Sequence, residues 1–195
     1  MNRSILIGIL LAFTIFWACA GFSPFSPSHH YLAPAPIIVS AHTPETNTIA
    51  SKTYAAALDV ARVFGRSGNG CAEASPELIT LVANEAIKAN LDPRVFAATI
   101  SVESACNQYA TSTRGAIGLT QVRPIVWKAQ YDFEHKYNLL NQQDNLRVGA
   151  SILGALIQQF GETNGLRRYN GMGVDCDTCD TGYVSRIVIL AGRKT

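Results

Sequence analysis

The stretch ESACNQYATSTRGAIGLTQVRP, Glu103 to Pro124, decides how the chain is read. It opens with a carboxylate at the end of an apolar helical segment. Polar residues and a glycine-punctuated loop, GAIGLTQV, follow. Just upstream, Asp92-Pro93 joins a capping oxygen to a proline suited to a helical first turn. The spacing predicts a helix from Pro93 to about Ser104, with Phe96, Thr99, Ile100 and Glu103 on one side. Seven residues separate Phe96 from Glu103, which leaves them about 20° apart around the axis. A glutamate drawn toward the core loses hydration, and its pKa rises. A proton donor at neutral pH needs that property. Periodicity sets a face but not its surroundings, so a glutamate turned to solvent stays open as the alternative.

In the loop, Gly115 and Gly118 permit tight turns and close approach by a ligand. Asn107, Ser112 and Gln121 add uncharged hydrogen-bonding groups. These suit the neutral hydroxyls and acetamides of a polysaccharide; an ordinary polar turn is the bland alternative.

Working outward, Ser51 is read as the cap of a helix reaching about Phe64, with Ala55, Leu58, Val60, Ala61 and Phe64 apolar. Gly65, Gly68 and Gly70 break it. Ser75-Pro76 starts another helix, which carries Leu78, Leu81, Val82 and Ala86 and stops at Asn90. Val126 to Tyr137, with Trp127, Tyr131, Phe133 and Tyr137, is expected to be one helix, mostly core. Asn145 to Phe160 bears a broad apolar stripe ended by Gly161, and Gly149 and Gly154 invite close packing against a neighbouring helix. Tyr169 and Asn170 follow, the tyrosine as a core phenol or as a donor aimed into a cleft. Thr181 to Ala191 reads as a last helix.

The chain has 195 residues and a formal net charge of +2. That suits one average domain plus a leader and offers no basic run for nucleic acid. Arg3 precedes an apolar run from Ile5 to Phe22, with Ala18 and Ala20 as a cleavage pattern. Residues 1–20 are read as a signal peptide or a membrane anchor, the latter tethering the protein through residues 5–22. Residues 21–50 are a Pro/Ser-rich linker: Ser23 to Thr48 holds five of the eight prolines. The folded domain is placed at 51–195, outside the cytoplasm, in the periplasm or cell envelope. Four cysteines follow the leader: Cys71, Cys106, Cys176 and Cys179. In an exported domain an even count favours disulfides. Pairing Cys71 with Cys106 and Cys176 with Cys179 is preferred, with cross-pairing open. No metal site or cofactor fingerprint is evident.

Three blocks, in order, resemble the family 1 lytic transglycosylases, the goose-lysozyme-like soluble lytic transglycosylases of bacterial cell walls. The first is Glu103-Ser104, Asn107, Ala110, Ser112, Gly115-Ala116, Gly118-Leu119, Gln121 and Pro124. The second is Asn145-Leu146 with Gly149, and the third is Tyr169-Asn170-Gly171. The resemblance implies an all-α, lysozyme-like fold with a substrate groove. It implies cleavage of the β-1,4 bond between N-acetylmuramic acid and N-acetylglucosamine in peptidoglycan glycan strands, giving a 1,6-anhydro product. Glu103 matches the single acid and base. Ser112, Gln121 and Tyr169 match groove positions, and Asn170 matches a motif residue of more structural character. Thr120 and Arg123 stand where apolar residues are common, and Gln108 where proline is frequent. The late acidic-Thr…Tyr motif is met only loosely, in Asp180-Thr181-Gly182-Tyr183. A hydrolytic muramidase on the same fold, or a non-catalytic wall-binding assembly protein, are the alternatives. A secretion, conjugation or phage apparatus, or wall turnover, are the contexts such a domain would serve.

Overall fold

The computed structural model describes residues 44–171 and 182–193. The expected leader, the linker as far as residue 43, and Thr181, Cys176 and Cys179 lie outside them. The described residues form seven α-helices: α1 Pro44–Arg66, α2 Pro76–Lys88, α3 Pro93–Ser104, α4 Pro124–Trp127, α5 Gln142–Phe160, α6 Glu162–Tyr169 and α7 Tyr183–Leu190, with a 3-10 turn at Gly70–Glu73. No strand forms among the described residues; two isolated antiparallel bridges, Thr111 with Ile117 and Ile117 with Val122, pin the loop before α4. The fold class is all-α, in keeping with a lysozyme-like domain.

Helix α3 is the centre. Its start is as read: the Asp92 carboxylate accepts from the Arg94 amide at 2.8 Å, and Pro93 occupies the first turn. The expectation of one core-facing side understates its position. Val95 through Ser101 are all buried, because α1, α2 and α7 pack around the helix. Small residues at Ala97, Ala98 and Ser101 let those neighbours approach on the sides that the apolar stripe leaves over.

Helix α1 begins at Pro44, ahead of the expected Ser51. The Ser51 hydroxyl does not cap; it donates to the Thr48 carbonyl within the helix, at 2.9 Å. Ala55 and Leu58 are exposed, and the buried face is Ala56, Val60, Val63 and Phe64. The expected face is therefore rotated. Helix α2 starts as read, with the Ser75 hydroxyl accepting from the Leu78 amide. Asn90, at φ +53°, follows its last turn.

Val126 to Tyr137 is not one helix. Only Pro124–Trp127 is helical. The Asp132 carboxylate accepts from the amides of Glu134 and His135 at 3.1 and 3.0 Å, offering the backbone a turn in place of a helix. The rings pack on one another, Tyr131 with Phe133 at 6.0 Å and Tyr131 with Tyr137 at 5.8 Å. They cover a second, smaller core of Val122, Leu139, Val148 and Ile152.

Helix α5 starts at Asn141, whose side chain accepts from the Asp144 amide. Two of its glycines are required by contact. A Cβ on Gly149 would lie 2.3 Å from the Thr120 hydroxyl, and one on Gly154 2.7 Å from the Ala89 carbonyl. Gly154 admits the end of α2; Gly149 admits a loop residue and not the helix expected. Near the C-terminus, Arg193 reaches both Asp92 and Glu162. Burial alone would raise the Asp92 carboxyl, but hydrogen bonds from Arg94 and Arg193 outweigh it and bring its pKa down to about 2. This clamp holds the end of the chain against the start of α3.

Candidate active site

Glu103 lies in the last turn of α3, at a cleft of about 530 Å³ lined by Ser67, Asn69, Thr111, Gln121 and Arg186, among others. Glu103 is the one carboxylate among the described residues that line it. Burial raises its pKa above the ordinary glutamate value of 4.5, opposed in part by a hydrogen bond from Tyr183 and by the Arg186 charge. The glutamate is thus turned inward at the cleft, and its protonated form is favoured.

Four features hold the end of α3 in place. Ala105 and Cys106 both take left-handed backbone, at φ +52° and +63°, which ends the helix sharply. Cys106 is bonded to Cys71, with a Cα–Cα distance of 4.9 Å, and so ties this exit to the 3-10 turn. The Asn69 amide donates to the carbonyl and hydroxyl oxygens of Ser101, both at 3.0 Å. The Ser104 hydroxyl then donates to the Leu119 carbonyl at 2.7 Å, joining helix to loop.

The loop hangs from one side chain, Asn145. Its Oδ1 accepts from the Thr120 amide at 2.9 Å and the Thr120 hydroxyl at 2.7 Å. Its Nδ2 donates to the carbonyls of Ile117 and Leu139, both at 2.9 Å. Gly118 lies against this amide at φ +79°, and an added Cβ would meet Asn145 Nδ2 at 2.1 Å. Thr120 is fully buried. Its hydroxyl serves this network, which accounts physically for a polar residue in an apolar position.

The residues singled out from sequence separate into groups. Gln121 lines the cleft beside Glu103; its Nε2 donates to the carbonyls of Ala110 and Gly118 at 3.0 and 2.9 Å. Ser112 does not line the cleft; its hydroxyl accepts from the Ala116 amide and builds the turn. The Asn107 side chain accepts from the Tyr109 amide. Tyr169 is a core phenol whose hydroxyl donates to the Thr120 carbonyl at 2.7 Å. Burial, and after it the Glu103 charge, push its pKa far up. Asn170 is exposed and caps α6.

Tyr183 is the contact that sequence reasoning missed as a site residue. Its hydroxyl donates to Glu103 Oε1 at 2.6 Å, across 80 residues of chain. The imperfect motif around Asp180 to Tyr183 was the available signal. Because this bond favours the charged form, removing it raises the Glu103 pKa further. Tyr183→Phe is expected to move the alkaline limb of the kcat/KM profile up by roughly one pH unit, the size of a hydrogen bond to a charged group. An unmoved limb would show that the bond does not tune the acid.

A helical domain that sets a glutamate of raised pKa at the end of a core helix, facing an open cleft, fits the lysozyme-like class. Residues 80–173, just under half of the chain, match the family model of the Transglycosylase SLT domain. A protein named Transglycosylase from Enterobacteria phage PRD1 is 34% identical over 83 residues, which is 42% of this chain. The chain spans 30% of that protein's length. No solved structure matches the chain significantly.

Proposed function

We propose that the protein is an exported peptidoglycan lytic transglycosylase that cleaves the β-1,4 bond between N-acetylmuramic acid and N-acetylglucosamine. The observation that carries this is the protonation-favouring site of Glu103, the one carboxylate among the described cleft residues. Tyr183 occupies Oε1, which leaves Oε2 to carry the acidic proton. Glu103 gives that proton to the glycosidic oxygen as the bond to C1 breaks. The substrate's acetamide stabilises the positive centre at C1. The Glu103 carboxylate then takes the proton of the C6 hydroxyl, and O6 bonds to C1. Glu103 ends protonated, and no water enters the product. One glutamate suffices, unlike the usual pair of carboxylates.

The test is mass spectrometry of fragments released from purified peptidoglycan. Muropeptides ending in 1,6-anhydromuramic acid are expected. Products heavier by one water would assign a muramidase instead. Binding without cleavage would assign a wall-binding role. Export rests on the apolar N-terminal run, and its partner apparatus on context outside the chain. No described helix is long and apolar enough to cross a membrane.

A further inference from the structure

A second, smaller pocket, of about 90 Å³, adjoins the catalytic cleft. Gln121 lines both. Arg123, Trp127, Arg168 and Asn170 complete much of its wall, and no carboxylate lines it among the described residues. Four arginines elsewhere find acids: Arg62 pairs with Asp59, Arg94 and Arg193 with Asp92, and Arg147 with Asp144. The two in this pocket do not. Arg123 makes one hydrogen bond, from Nε to the Arg114 carbonyl at 3.2 Å. Arg168 lies over the Phe160 ring, 3.7 Å from its centroid, and its Nε is buried without an acceptor among the described residues. Together the two guanidinium groups offer donors that no carboxylate of the described pocket wall takes. Guanidinium groups are planar forks suited to carboxylates.

We propose that Arg123 and Arg168 form an anion subsite for the carboxylates of the peptide carried by the glycan substrate. This rests on the reading of the cleft as a peptidoglycan site. While the peptide is attached the lactyl group is a neutral amide and the strand's negative charge sits on the peptide, so a basic pocket beside the cleft reads the peptide. The enzyme therefore selects peptide-bearing strands over denuded ones.

The test uses the full chain carrying Glu103→Gln, so that strands are bound and not cut. Affinity is measured for soluble peptide-bearing glycan strands and for the same strands stripped by an amidase, their freed lactyl carboxylates converted to neutral methylamides. Peptide-bearing strands should bind roughly 10-fold tighter, as expected for charge-assisted hydrogen bonds. That ratio should shrink as salt is raised. Adding Arg123→Gln should bring it close to one, and Arg168→Gln should reduce it independently. Equal affinities in the parent, or a ratio untouched by both substitutions, would overturn the subsite. Turnover by the native chain is measured separately. If neither strand is cut but the peptide preference persists, the transglycosylase reading fails while the subsite stands.

Discussion

Glu103→Gln is expected to lower kcat on the order of 10³-fold or more, the scale of a lost general acid compounded by a lost base. Glutamine keeps the volume of the side chain and an oxygen to accept from Tyr183, so the cleft stays built. The fold should not suffer. The Glu103 pKa lies above its ordinary value, so the folded protein holds that proton more tightly than the unfolded chain. The stabilisation is complete below the unfolded pKa and is lost as pH rises through the folded one. A neutral glutamine cannot ionise, so the variant should match or exceed the parent's stability at about pH 8 and lose that advantage at about pH 4. Turnover and thermal melts across this range check both halves. Activity above about a tenth of the parent's would remove Glu103 from the acid role.

Asn145→Ala is expected to destabilise the domain by about 3 kcal/mol, lowering Tm by roughly 6–12 °C. The side chain is buried and makes four hydrogen bonds, two as acceptor from Thr120 and two as donor to Ile117 and Leu139. Alanine leaves the Thr120 amide and the Ile117 and Leu139 carbonyls unpaired inside the protein, while the Thr120 hydroxyl keeps the backbone carbonyl of residue 145 as acceptor; the penalty is the desolvation of the other three. Asn145→Asp should fare little better, because its second oxygen would face two carbonyls that also accept. Activity should fall as well. Thr120 holds the Tyr169 hydroxyl, and Leu119 holds Ser104 at the end of the catalytic helix. Urea melts of both variants check this. A loss below about 1 kcal/mol would mean that the Ser104 and Gln121 bonds hold the loop without Asn145.

Much of the scaffold was legible because its signals are local. Ser75-Pro76 and Asp92-Pro93 start helices where capping chemistry says they should. Gly161 ends α5 because the chain there takes φ +76°. The failures were also local in origin. Ser51 carries a capping side chain but lies inside a helix that begins earlier. The aromatic run from Trp127 to Tyr137 has helical spacing, yet Asp132 turns the backbone and the rings stack on one another.

The site divides in the same way. Sequence alone placed Glu103 at the end of a core helix beside a glycine loop, because periodicity and capping act over a few residues. It could not say that Tyr183 donates to that carboxylate, that Tyr169 faces a carbonyl, or that Ser112 builds a turn. Nor could it show that Asn145 suspends the loop. The bonds of Asn145 and Tyr169 to Thr120 and of Tyr183 to Glu103 join residues 25 to 80 positions apart, and only the tertiary packing of the helices brings them within hydrogen-bonding distance. A carboxylate's position in the chain is a local property. Its protonation depends on burial and partners, and these exist only once the tertiary structure has excluded water from around it.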